Sequence, residues 1–532
     1  NYSLCNWSFR KAEKFFDIQT WTGNGTAGKV ISHDLNSVPQ MIMVKRTDSS
    51  GDWLVYHWRL GNDAGMVLND AGSSGSYGPL NNTTPTSTQF VLNNNANANA
   101  NGGTYVAYLF AEEAAFGEDE DEYICRVDRY NGNGSTKTVT LGFEPQFLFV
   151  KKTNSTGGAA DWILVDSMRG LPVGGNDSFL AANTNAAETS TLNAFNLTAT
   201  GFTVATSDYR VNTLNVSYIY IAIRRPMKTP EAGTEVFATD TRGSTGTGVA
   251  PTYRSPWPVD MQFNRNRTYA GGNTQISARL LQKTQMFTDI TAAESSNTSM
   301  MFDYMNGVQV DTGTNTAQSA WMFKRASGFF DTVAYTGTGS GSGITLNHNL
   351  TVTPELLICK SRSLGQDWTV WRTGAASGVF ERLNSEYGST SPGYVLSTIS
   401  ATQFGWNNAD GAVNDNGSTY IAYLFATLAG VSKVGTYTGT GSDLNVDCGF
   451  SNGARFILIK RIAAGPVADW YYWDSLRGIS AGNDPYLAIN STAAEVTNTD
   501  YIDPLSSGFT VTSSAPAALN GNGNTYLFLA IS

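Results

Sequence analysis

Charge is scarce in this chain. Asp, Glu, Lys and Arg make up 15 % of its 532 residues, against about 25 % in a typical soluble domain. The balance is negative, −10 at neutral pH. Phosphate recognition wants clustered Lys and Arg, and no basic stripe interleaved with aromatics occurs, so a nucleic-acid partner is disfavoured. No apolar run approaches the ~20 residues that a membrane-spanning helix needs, and membrane insertion is not expected. There are 3 histidines, His33, His57 and His348, each remote from any second ligand in sequence, so neither a metal centre nor a Ser-His-Asp set suggests itself. The 4 cysteines, Cys5, Cys125, Cys359 and Cys448, have no C-x2-C spacing and do not recur at matching places. They read as free thiols in separate domains. Stretches of helical periodicity are missing as well.

What the chain does have is self-similarity. Phe15-Phe16-Asp17 leads to Trp21-Thr22-Gly23-Asn24-Gly25, and Phe329-Phe330-Asp331 leads to Tyr335-Thr336-Gly337-Thr338-Gly339, at a constant offset of 314 residues (Phe15 to Phe329, Gly25 to Gly339). Three landmarks recur at a shorter period of about 100 residues. The first is an aromatic followed by a Gly-rich turn, again at Tyr130 and Tyr437; such turns supply the positive φ of tight hairpins. The second is Pro39, Pro145 or Pro354 (Ala454 in the last copy), then an apolar run ending in Lys45, Lys151, Lys360 or Lys460. Proline suits the first position of a strand, and an unbroken apolar run suits a strand buried on both faces. A loop then reaches Asp-Trp at Asp52-Trp53, Asp161-Trp162, Asp367-Trp368 and Asp469-Trp470. The third landmark, as in Thr104-Tyr105-Val106-Ala107-Tyr108-Leu109-Phe110, is rich in β-branched and aromatic residues and reads as a central strand.

The copies fall into kinds, in the order A-B-C-A-B. Residues 15–113 form module A1, 114–122 an acidic linker, 123–225 module B1, 226–326 a divergent module C, 327–428 module A2 and 429–532 module B2. Residues 1–14 match the closing strand of module C, with Trp7, Phe9, Arg10 and Lys11 on Trp321, Phe323, Lys324 and Arg325. The expectation is that they close a repeat truncated from a longer polypeptide. The fold class follows: all-β, a tandem array of about five antiparallel, jelly-roll-like β-sandwich domains of ~100 residues. Short linkers favour a rigid rod in which each module buries its own core.

Sites for chemistry are few. The acidic run Glu118-Asp119-Glu120-Asp121-Glu122 reads first as a solvated, self-repelling linker. Its sharper reading is a Ca²⁺ site, without the ligand spacing or glycine of an EF-hand loop. The pairs Asp161/Asp166 and Asp469/Asp474 invite a carboxylate-dyad reading. The A copies carry His57 and Arg372 at the second position, which a general acid and base would not tolerate; a strand-end carboxylate paired with Arg169 or Arg477 is preferred. The Asn-rich stretch holding Asn93, Asn95, Asn97, Asn99 and Asn101 reads as a flexible loop tip, with glycan contact through amides and nearby aromatics as the sharper alternative. No catalytic residue and no resident cofactor are assigned.

At "FFD…YTGTG", "P…K", "DW" and "TYIAYLFA" the chain resembles a repeat domain of tail-fibre-like and structural virion proteins of marine tailed phages, over nearly its whole length and least in residues 226–318. The resemblance implies a non-enzymatic virion structural protein, of tail-fibre or surface-appendage type, on the extracellular face of the particle. It implies partnership with other virion proteins, homo-oligomerisation (a trimer is the common form) and contact with host surface polysaccharide. A bacterial adhesin or lectin-like binding protein is the alternative reading.

Overall fold

The computed structural model describes residues 5–117, 120–242, 249–311, 313, 315–462 and 467–532. Its antiparallel sheets follow the landmarks. In module A1 the closing strand Thr104–Ala111 lies at the centre, between the opening strand Phe16–Thr22 and the proline strand Pro39–Arg46, with Leu54–His57 and Met66–Val67 beyond. The same order, opening–closing–proline–Asp-Trp strand, returns in B1, A2 and B2. Module C has it too, with Gln318–Phe323 between Phe237–Thr241 and Met261–Asn266, so the divergent segment is a true fifth copy. A small second sheet covers each main one, for example Lys29–Ser32 with Gln89–Leu92 in A1, or Leu444–Asp447, Gly508–Val511 and Ile502–Leu505 in B2. The chain is thus a tandem series of two-sheet β modules.

The residues explain the ladder. Proline cannot donate to it, and the register slips by one residue after Pro39 and after Pro145. The landmark aromatics are cross-strand partners: Trp21 faces Tyr105, Tyr130 faces Tyr218, Tyr335 faces Tyr420 and Tyr437 faces Tyr526. Each pair stacks with centroids 4.9 to 5.6 Å apart, the kind of contact that fixes strand register.

A buried asparagine closes each A and B module. Asn99, Asn212, Asn414 and Asn520 accept from the backbone of the Gly-rich turn (Asn24, Asn133, Thr338 and Thr440 N–H, each 2.9 Å). Their amide groups donate to loop carbonyls, such as Asn520 to Ser442 and Thr512, both 2.9 Å. The closing-strand tyrosine holds the same loop: the Tyr526 hydroxyl donates to Ala517 O at 2.6 Å and accepts from Gly521 N–H at 2.7 Å. Here the reading of the Asn-rich stretch as a flexible tip is corrected. Ala96–Asn99 is a short helix capped by Asn95, Asn93 donates to Gly78 and Leu80 carbonyls, and Asn99 is fully buried. Asn97 reaches toward Asp52, and Asn101 is exposed.

The expectation that each module buries only its own core is also corrected. The chain forms two compact units, one of Asn1–Ser167 with Gly175–Arg225, the other of Met168–Gly174 with Pro226–Ser532. Strand alternation supplies the reason, since successive side chains point to opposite faces. In A1, Ile42, Val44, Ala107 and Leu109 fill the module's own core. Met41, Val55 and Phe110 turn the other way, into a cluster shared with Val127, Phe149 and Trp162 of B1. In the second unit C, A2 and B2 each touch the other two: Phe323 meets Phe425 (6.0 Å) and Phe456 (6.1 Å), and Trp321 meets Tyr472 (5.0 Å). Within each unit these sheets are buried on both faces.

Asn520→Ala would strand the Thr440 N–H in B2, while Ser442 O and Thr512 O keep a second donor each, from Thr440 Oγ1 and Ala515 N–H. An unpaired buried polar group costs about 1–3 kcal/mol, so the second unit should lose about that much in urea unfolding, with an unchanged far-ultraviolet dichroism spectrum.

Candidate functional site at the module junctions

The recurring Lys and Asp-Trp residues converge where one module meets the next. Each Asp-Trp pair is set by an asparagine 16 to 21 residues downstream. In B2, Asn490 donates to Asp469 at 2.8 Å, and its carbonyl oxygen accepts from Trp470 N–H at 2.8 Å. Asn69, Asn183 and Asn384 do the same for Asp52-Trp53, Asp161-Trp162 and Asp367-Trp368. In A1, B1 and B2 the lysine of the proline strand lies over its own module's Trp ring, at 5.8 Å for Lys45 and Trp53, 5.9 Å for Lys151 and Trp162 and 5.8 Å for Lys460 and Trp470. Indole and ammonium therefore leave the module side by side.

Their targets are backbone carbonyls of the neighbour. Trp162 Nε1 donates to Val67 O (3.0 Å) and Lys151 to Ala71 O (2.8 Å), joining B1 to A1. Trp368 Nε1 donates to Phe287 O and Lys360 to Thr291 O (both 2.9 Å), joining A2 to C. Trp470 Nε1 donates to Arg382 O (2.9 Å), and Lys460 to Ser385 O (3.2 Å) and Glu386 O (3.0 Å), joining B2 to A2. Module C closes the ring with a variant: Arg265 takes the lysine's place and donates to the Ala488, Ser491 and Ala493 carbonyls of B2, while Trp321 Nε1 donates to Asp474 (2.9 Å). The N-terminal segment repeats that last contact in the first unit, where Trp7 Nε1 donates to Asp166 at 3.1 Å.

Burial pushes Lys151, Lys360 and Lys460 down to about 8. Asp474 binds Arg477 at 2.5 Å, the turn pairing preferred for B2, and also receives the Trp321 indole. Its role is a junction acceptor. All three histidines accept a backbone N–H at Nδ1, from Leu35, Arg59 and Leu350, and burial drives His57 down to about 4. None of the four cysteines is in a disulfide; Cys5 is exposed and Cys125, Cys359 and Cys448 are buried. Of the acidic run, Glu118 and Asp119 lie outside the described residues. Glu122 is bound in bidentate fashion to Arg224 (2.5 and 3.1 Å) and its backbone pairs with Phe116, so it serves as a clasp on the linker. Among the described residues no three His, Cys, Asp or Glu side chains gather as a metal site would require.

A family model described as a domain of unknown function, DUF7483, matches residues 10–226 and 305–532. The chain belongs to the DUF7483 family. Each matched segment runs through an A and a B module, and residues 227–304, most of module C, fall between the two matches. Neither a curated protein nor a solved structure matches the chain.

Trp470→Phe removes the indole donor while Arg382 O keeps the Ser385 N–H, so it should destabilise the second unit by about 1 kcal/mol in urea unfolding, the net worth of one hydrogen bond. The lysines give a pH signature. Unfolded, Lys460 holds its proton to about 10.5; folded, it releases it near 8. Between those values the unfolded chain binds more protons, so stability rises with pH. The stability of the parent measured against Lys460→Met should therefore grow from pH 8 to pH 10 and be flat below pH 7.

Proposed function

We propose that this chain is a non-enzymatic structural protein of a tailed-phage particle, of the tail-fibre or surface-appendage type, carried on the extracellular face of the virion. One observation carries the reading: in B1, A2 and B2 the recurrent lysine and Asp-Trp residues, which would be the natural candidates for chemistry, are spent on joining modules. Lysines with lowered proton affinity and aligned Asp-Trp pairs would suit a catalytic cleft. Here their hydrogens go to backbone carbonyls of the adjoining module. Such investment fits a part whose work is to hold a shape and to present a surface repeatedly.

In this reading the partners are other virion proteins and further copies of the chain, with a trimer as the form the fibre type favours. Host surface polysaccharide is a further contact, made through exposed aromatics such as Tyr77, Tyr209, Tyr269 and Tyr387, where amphipathic rings can stack on sugars. Catalysis, nucleic acid and membrane insertion play no part in it.

The deciding experiment is immunogold electron microscopy with antibody raised against the full chain, on intact particles of the phage that encodes it. Label on the tail or its appendages is the expected result. Particles that carry no label, with the chain found only in the lysate, would remove the proposal.

A further inference from the structure

The two units contain the same pair of modules, but only the second has a complete third. In the second unit C, A2 and B2 close around a residual cavity of about 40 Å³. In the first, the same surface of A1 and B1 opens into an apolar groove of about 560 Å³. The two linings correspond residue by residue. Trp53, Tyr108 and Phe110 stand where A2 has Trp368, Tyr423 and Phe425; Phe149, Ala182 and Ile221 stand where B2 has Leu458, Ile489 and Leu529. Only Met261, Phe263 and Ile276 of the second lining have no counterpart, and all of them belong to module C.

Burial follows the same division. Trp368 is fully buried under module C, whereas Trp53 is only half-buried. Ile18 is 41 % exposed, whereas its counterpart Thr332 is 1 % exposed. Lys360 reaches across to Thr291 O, whereas Lys45 donates to Gly51 O of its own loop. The B1 loop at residues 184–186, counterpart of the one whose carbonyls Arg265 caps in B2, lies exposed. The N-terminal segment already sits on this surface as the module-C closing strand does in the second unit. Trp7 bonds Asp166 as Trp321 bonds Asp474, and Phe9 packs on Phe110 and Phe147 as Phe323 packs on Phe425 and Phe456. Lys11 pairs with Asp17 as Arg325 pairs with Asp331.

We propose that this groove is the docking seat of a β module of the C kind, for which residues 5–11 are the closing strand. The matching strand Gln318–Phe323 is central in module C, flanked by Phe237–Thr241 and Met261–Asn266, so a docked module of this kind would supply a strand on either side of residues 5–11. The outward face of the seated segment agrees. Asn6 and Ser8 stand where module C has Ala320 and Met322, whose cross-strand partners Asn264 and Gln262 already form a buried amide pair. Polar side chains there can join that ladder rather than break a wholly apolar core. An exposed apolar face of this size otherwise invites association.

The test places a second copy of residues 226–314 ahead of residue 1 of the full chain. Glu294 in that copy is changed to Gln, because Thr47 stands where Arg362 pairs with Glu294. Cys5 is the reporter, since it is the exposed thiol and its counterpart Ser319 is 1 % exposed. With the added module, Cys5 should react with a disulfide reagent at least tenfold more slowly than in the unaltered chain. An apolar fluorescent dye that binds the unaltered chain, and that Ile18→Glu displaces, should no longer bind. A second version carrying Asn6→Ala and Ser8→Met, the residues of the complete module, covers a failure of the first to fold. Undiminished Cys5 reactivity in a folded version would overturn the proposal. So would an unaltered chain that sediments as a dimer with Cys5 already protected, because the seat would then belong to a second copy.

Discussion

The architecture depends on how backbone carbonyls are satisfied at the edges of small β modules. A sheet of five or six strands must end, and the loops that end it carry carbonyl groups that a neighbouring module would cut off from water. Leaving such groups unpaired costs more than the packing around them returns. This chain resolves the conflict by sending donors across the border. An indole N–H and an ammonium or guanidinium group leave one module together and meet the loop of the next. The apolar contact beside them can then be dry without stranding polar atoms.

Much of this was legible in the sequence, but unevenly. The strands, their order and the existence of five modules followed from proline position, alternation and turn glycines. The shared face was half visible: the run Met41-Ile42-Met43-Val44 announced a strand buried on both sides, although nothing in it said that Met41 would meet another module while Ile42 met its own. The recurrence of Lys and Asp-Trp was plain, yet its meaning was not. A backbone carbonyl has no sequence signature, so a donor aimed at one across a module border cannot be matched to its partner. The asparagines behind each Asp-Trp escaped notice for a related reason. Their spacing drifts from 16 residues in A1 to 21 in B1, with the length of the intervening loop, so no fixed pattern marks them.

The choice of donor also explains how the modules could diverge. Carbonyls are offered by every residue, so the receiving loop is free to change: Val67, Phe287 and Arg382 all present the same oxygen to an indole. Only the donor is constrained, and there Lys and Arg serve alike. Arg265 in module C does with a longer fork what Lys360 and Lys460 do with a point charge. A lock that demands a side chain on one surface alone tolerates drift on the other, which accounts for a module C that shares so little sequence with its neighbours and still closes their ring.

That tolerance bears on why the A–B pair, rather than the single module or the full ring, is the unit the family model spans. The border between B and A is fixed from both sides in the first unit. Trp162 and Lys151 run from B1 to A1, while Trp58 returns from A1 to Val127 O (2.6 Å) and Arg59 to Asp128 (2.5 Å). The N-terminal segment adds a third hold, through Trp7 on B1 and Lys11 on A1. An A module and a B module are therefore the smallest assembly in which each recurrent donor of the B module has found its acceptor. Whatever occupies the remaining face can vary without unlocking the pair. The apolar lining left there by Trp53, Tyr108 and Phe110 is the side of the assembly on which the two units are free to differ.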